Sequence, residues 1–345
     1  MESVSHAYTQ AQPQPAKARP LISSRLFSWC FLVACYCLLL GITLDAWAHN
    51  HVPRLETFFT PWHAVLYSGL LSTALILPGT ILINRLRGAS WRDAVPFGYA
   101  IAVVGVIGSI LGGLGDMTWH ILFGVEQNVD AQFSPTHIAL MLFFGLLIIS
   151  PYYALYSGKR STTPLMLVLS FTLFLTYWSI ISQTAHPYTR FWLTDTSKVD
   201  PQGLILAVVS YVFQGGFLAI FSMYTIRRWR LFPGFYTLAL TISALPIATM
   251  RDTYIVIPIA LVSGILIDCA YRLLRPTMQR KEHFRLFIAL VPGLWLTTYT
   301  ITLCLAYGTV WSAHMLGGSI VVTIIISWLL SGLFFPPPIP QEQEP

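Results

Sequence analysis

The chain has 345 residues, of which 55 % are hydrophobic and only 10 % charged, where a soluble domain carries roughly 25 % charged. So few charges cannot solvate a globule of this size, which excludes a soluble enzyme, a disordered chain and a nucleic-acid binder with a broad basic face. The net charge of +6 therefore needs another source, and membrane topology supplies one.

Residues 1–25 are polar and rich in Gln, Pro and Ala, and read as a disordered cytoplasmic tail. A bilayer core of about 30 Å needs roughly 20 apolar residues per helix. Ten such stretches follow, at about 26–48, 63–84, 95–120, 136–157, 163–185, 204–225, 232–250, 254–274, 285–306 and 311–335. Together they make one transmembrane domain over 26–335. Pro336-Pro337-Pro338 stops the last helix and opens a second cytoplasmic tail, 336–345. The predicted class is all-α, a polytopic membrane protein of about ten transmembrane helices. Sorting Lys and Arg by side places 16 of the 20 on one face, leaving Arg54, Arg190, Lys198 and Arg251 on the other. The positive-inside bias then puts both termini in the cytoplasm and explains the net charge without a nucleic-acid partner. The expected location is a bacterial cytoplasmic membrane, with lipid as the first partner. Ala46-Trp47-Ala48 fits a signal-peptidase site that would leave His49 as a new amino terminus. The apolar run before it is longer than the usual 7–15 residues, which favours an uncleaved first span.

Five cysteines (Cys30, Cys35, Cys37, Cys269, Cys304) lie in apolar runs without a CxxC pair, so neither a disulfide framework nor a thiolate zinc site is indicated. The histidines are more telling. Seven of nine fall on the extracytoplasmic side: His49, His51, His63, His120, His137, His186 and His314. Ionisable groups at membrane depth are costly unless paired, hydrated or metal-bound, which makes them functional candidates.

Their spacing repeats. Asp45-Ala46-Trp47-Ala48-His49 is followed by Phe59-Thr60-Pro61-Trp62-His63, and Asp116-Met117-Thr118-Trp119-His120 by Phe133-Ser134-Pro135-Thr136-His137. Both fit D-x-x-x-H, a loop, then F-[ST]-P-x-H at an outer turn, which argues for tandem duplication of a helical hairpin over about 26–84 and 95–157. An Asp and a His four residues apart share one helix face, about 6 Å apart at Cβ. They sit at a helix C-terminus, where the dipole favours a cation. Thr60 or Ser134 as N-cap and Pro61 or Pro135 in the first turn start the returning helix. His63 and His137 then face back toward the preceding helix end. Each hairpin thus offers one carboxylate and two imidazoles, a three-ligand set with an open position. The metal candidates are Asp116, His120 and His137, with Asp45, His49 and His63 as a second triad. Such donors suit copper, iron or zinc. The plainer alternative for each triad is a hydrogen-bonded Asp–His pair that holds the loop.

The second copy resembles the metal-binding segment of the C subunit of copper membrane monooxygenases, which oxidise methane or ammonia. The resemblance rests on Asp116-x-x-Trp119-His120 and Phe133-Ser134-Pro135-Thr136-His137, about 25 residues. It implies copper held by Asp116, His120 and His137, O2-dependent oxidation of a small apolar substrate, and assembly with other membrane subunits or as a homo-oligomer. Two other functions compete: metal binding or transport without oxidation, and a structural membrane subunit. Transport predicts polar residues through the whole membrane, whereas here they gather at one end. Glu56 and Glu126 are weaker candidates to orient ligands, His186 and His314 can join the site in space, and Arg251-Asp252 reads as a local ion pair. Gly112, Gly113 and Gly115 let the third span approach a neighbour closely. Trp62 and Trp119 are explained by an interfacial belt.

Overall fold

The computed structural model describes residues 25–52, 58–124, 130–158, 163–194 and 201–336. Ten long helices account for most of them: α1 Arg25–His51, α2 Pro61–Leu86, α3 Ala100–Phe123, α4 Pro135–Ser157, α5 Pro164–Ile181, α6 Pro201–Arg228, α7 Phe235–Arg251, α8 Val256–Leu274, α9 Lys281–Tyr307 and α10 Ala313–Ser331. No strand occurs among the described residues, and the chain is an all-α polytopic membrane protein. The two tails, apart from Arg25 and Pro336, lie outside the described residues.

Helix ends follow Pro and Gly chemistry. α3 begins at Ala100 rather than near 95, because Pro96 and Gly98 (φ +82°) set the connection after a short helix, Trp91–Ala94. α5 stops at Ile181 rather than near 185, where the chain tightens into a 3₁₀ turn at Gln183–Ala185 ahead of His186-Pro187. A residue before proline disfavours the α conformation. α1 runs unbroken through the Ala48–His49 bond, and Ala48 is fully buried.

Nine of the ten helices have the length and apolarity to cross a membrane. The exception, α7, has 17 residues, about 26 Å of helix. Its ends are nonetheless tied to opposite ends of the bundle. At the start, the Tyr236 and Thr237 amides donate to Asp268 near the C-terminus of α8. At the other end, Asn50 of α1 donates to the Met250 carbonyl. α7 therefore traverses the bundle like its neighbours.

α1 packs on α2 and α3 on α4, giving two hairpins, while α5 to α10 form the rest of the bundle with α7 and α5 against α1. The α1–α2 contact is close because Gly41 has no side chain: a Cβ there would lie 2.4 Å from Leu66 Cα. Away from these contacts α3 exposes Val104, Ile107, Leu111 and Leu114. That spacing of three and four residues marks one helix face, and its apolarity marks it as the lipid face.

The basic residues sort by end. Arg25, Arg85, Arg87, Arg92, Arg227, Arg228, Arg230, Arg272, Arg275, Arg280, Lys281 and Arg285 flank the helix termini at one end. Of the described Lys and Arg residues, Arg190 and Arg251 alone lie at the other.

Candidate metal centre

The two repeat copies bring their Asp and His residues to that second end. Local sequence explains each position. Thr60 caps α2 by accepting from the His63 amide at 3.1 Å, and Ser134 caps α4 by accepting from the His137 amide at 3.4 Å. Capping and the following proline fix where each helix starts, and so where its histidine stands.

In the first copy Asp45 Oδ1 lies 3.2 Å from His63 Nε2, and Asp45 Oδ2 lies 3.8 Å from His49 Nε2. In the second, Asp116 Oδ1 lies 3.3 Å from His137 Nε2, and Asp116 Oδ2 lies 3.6 Å from His120 Nε2. Each set offers three ligand atoms within 4.8 Å of one another. All six predicted site residues are thus assembled, in two groups each able to hold a metal ion. The second group is the more enclosed, with Asp116 1 % exposed, and Asp116 also accepts from Thr136 Oγ1 at 2.9 Å.

The groups adjoin. His49 and His137 have ring centroids 6.4 Å apart, and His63 and His120 6.2 Å. The first histidine of one copy therefore meets the second histidine of the other, and the reverse holds too. Reciprocal contacts of this kind are what two-fold-related copies make. Gly113 permits the approach, since a Cβ there would sit 2.8 Å from Tyr67 Cε1 on α2.

The donor chemistry fits a cation. His63 Nδ1 lies 2.5 Å from the Phe58 carbonyl, and His120 Nδ1 lies 3.3 Å from the Gly124 carbonyl. A carbonyl accepts only, so the ring proton belongs on Nδ1 and each Nε2 turns a lone pair toward a carboxylate. Buried lone pairs 3.2 to 3.6 Å apart repel unless a proton or a metal ion lies between them. Asp45 Oδ1 and His137 Nδ1 are also buried without a hydrogen-bond partner among the described residues, which is costly for a polar atom and points to a ligand that satisfies the cluster. A backbone carbonyl holding the far nitrogen is the arrangement that orients metal-binding imidazoles.

A cavity of about 420 Å³ opens beside both groups. Asp45, His49, His63, Asp116 and His137 line it, together with Ile42, Leu66, Leu140 and Phe144 on the apolar side and Gln183, Arg190 and Arg251 on the polar side.

Several expectations change. Arg251 and Asp252 do not pair with each other. Asp252 takes a left-handed conformation (φ 55°) at the end of α7, which turns its carboxylate to His51 Nε2 at 2.7 Å, while Arg251 donates to Gln183 Oε1 at 2.8 Å. The His51 imidazole holds the Asp252 carboxyl below the usual range. His51, stacked on Trp47, thereby ties α1 to α7 and is absent from both triads. His186 is buried elsewhere, accepting from the Tyr188 amide at Nδ1 (3.1 Å) beside Trp295. Burial lowers its pKa to about 3. His314 is exposed near the start of α10. Trp62 packs on Trp47 and Trp119 on Phe123, and neither lines the cavity. Glu56 and Glu126 lie outside the described residues.

Phe58, Tyr67, Gln183, Arg190 and Arg251 also border the site, outside the two D-x-x-x-H and F-[ST]-P-x-H motifs. Only Phe58 carries a local signal, standing one residue before the F-[ST]-P-x-H motif; the others arrive through tertiary packing.

Comparison with protein-family models, with curated proteins and with solved structures gave no match.

Proposed function

We propose that this is a copper-binding membrane oxidoreductase in which the two triads act as one paired centre and a small apolar substrate is oxidised with O2. The observation that carries the reading is the convergence of four imidazoles and two carboxylates in two adjoining groups, with His63 and His120 Nδ1 held by backbone carbonyls. Imidazole and carboxylate donors suit copper, iron or zinc. Copper is preferred because Asp116, His120 and His137 match the copper-binding segment of the monooxygenase C subunit described above. The positive-inside bias supports a centre at the extracytoplasmic edge of the membrane.

Copper bound there supplies one-electron chemistry and O2 activation. The chain's residues do the rest. Asp45 and Asp116 provide the negative charge that favours a cation at membrane depth. Thr136 fixes the orientation of the Asp116 carboxylate. The Phe58 and Gly124 carbonyls hold His63 and His120 in one tautomer. Ile42, Leu66, Leu140 and Phe144 give the cavity an apolar wall next to the ligands, which suits an apolar substrate.

Electron paramagnetic resonance of the copper-loaded protein tests the reading. Cu(II) held by imidazoles gives nitrogen hyperfine splitting, and this signal should weaken in Asp116→Ala and His137→Ala. With a chemical reductant, O2 uptake should rise on adding a small alkene, and an oxygenated product should form. Copper that binds with no nitrogen splitting overturns the site, and a bound centre without substrate-dependent O2 uptake overturns the activity.

A further inference from the structure

The cavity beside the triads is amphipathic along its depth. At its polar end Arg190 and Arg251 are both exposed and both line it. They lie near enough for their charges to act on each other. No carboxylate pairs with either among the described residues. Asp252, adjacent in sequence to Arg251, is turned away to His51. Arg251 is held by the neutral Gln183 side chain, which orients the guanidinium without cancelling its charge. Two like charges lining the same end of one cavity create a site of positive potential that an anion relieves, and planar guanidinium groups suit carboxylate and phosphate oxygens.

The other end is hydrocarbon-like. On α4 the lining passes from His137 through Leu140 to Phe144, seven residues and about 10 Å of helix toward the bundle interior. Ile42 on α1 and Leu66 on α2 lie about one turn deeper than Asp45 and His63. The triads stand between the arginines and this apolar wall. A cavity of about 420 Å³ falls in the range that holds small organic ligands.

We infer that this cavity binds an amphiphilic anion, a carboxylate or phosphate carrying a hydrocarbon chain, with its head on Arg190 and Arg251 and its chain passing the two triads. As a substrate class this rests on the metal-centre reading above. It replaces the small apolar substrate of that reading by an amphiphile that presents chain carbons, rather than its head group, to the centre.

The test is equilibrium dialysis of labelled decanoate, decanol and inorganic phosphate against the full chain in phosphatidylcholine nanodiscs, with empty nanodiscs as the partition control. Decanoate should bind about tenfold or more tightly than decanol, the scale of one charged hydrogen bond, and more tightly than phosphate alone. The Arg190→Gln/Arg251→Gln double variant should lose the preference for decanoate over decanol while keeping its metal content. Arg190→Lys/Arg251→Lys should retain most of it and guards against misfolding of the neutral variant. Equal binding of decanoate and decanol, equal binding of decanoate and phosphate, or a preference that survives the neutral double variant overturns the inference. Metal-free protein with an intact, arginine-dependent preference would instead overturn the metal centre and leave the anion site standing.

Discussion

Replacing Asp116 by Asn separates the charge of this side chain from its shape. The carboxylate is 1 % exposed, accepts from Thr136 Oγ1 at 2.9 Å and faces His137 and His120 Nε2 at 3.3 and 3.6 Å. The amide keeps a carbonyl oxygen for Thr136 and its NH2 donates to a facing Nε2, so in metal-free protein the variant should lose only about 1 kcal/mol, the net worth of one exchanged hydrogen bond. The metal-dependent part is larger. A ligand at about 1,000 times its Kd stabilises the folded state by about 4 kcal/mol per site, so two filled sites contribute about 8 and Asp116→Asn keeps about 4. Unfolding in detergent, followed by tryptophan fluorescence with excess copper and again with chelator, measures both parts. The copper-minus-chelator difference should halve in the variant, with the chelated proteins within about 1 kcal/mol of each other. A copper effect unchanged by the substitution refutes the ligand role.

Two further substitutions probe the frame. Gly41→Ala puts a methyl group 2.4 Å from Leu66 Cα, so α1 and α2 must part. Since Gly41 and Leu66 lie about one turn from Asp45 and His63, bound metal should fall from two ions per chain to one; two retained ions would show that the close approach does not position the first triad. His186 gives a pH signature. Its folded pKa, about 3, lies below the unfolded value near 6.5, so the unfolded chain binds the extra proton between these limits. Its contribution to stability is complete above pH 6.5 and falls with acidification, by up to about 1.4 kcal/mol per pH unit. His186→Gln should flatten the stability-versus-pH curve over pH 4–6; unfolding midpoints that keep the wild-type slope would contradict this.

Much of the fold was legible because membrane helices need long apolar runs and a loop between them. Each of the ten apolar stretches holds a long helix, nine of them long and apolar enough to span, with ends displaced where Pro96, Gly98 and the 3₁₀ turn before Pro187 redirect the chain. The triads were legible for a local reason: Asp45 with His49, and Asp116 with His120, are one helical turn apart, and Thr60 and Ser134 announce where the partner histidines begin their helices. What stayed hidden is tertiary. Nothing in the spacing shows that His49 meets His137 and His63 meets His120, since that depends on how the two hairpins pack. Arg251 is separated by more than 100 residues from every ligand with which it shares a cavity, and reaches them because α7 lies against α1. The adjacent pair Arg251-Asp252 looked self-contained until the left-handed turn at Asp252 sent the two side chains to different partners.

Elemental analysis of protein purified in detergent and reconstituted with copper tests the metal centre most directly. The wild type should hold two copper ions per chain, Asp116→Ala and Asp45→Ala one each, and the double variant none, all from chains that remain helical and monodisperse. Wild-type protein that holds no metal after reconstitution, or a double variant that holds as much as the wild type, contradicts the account.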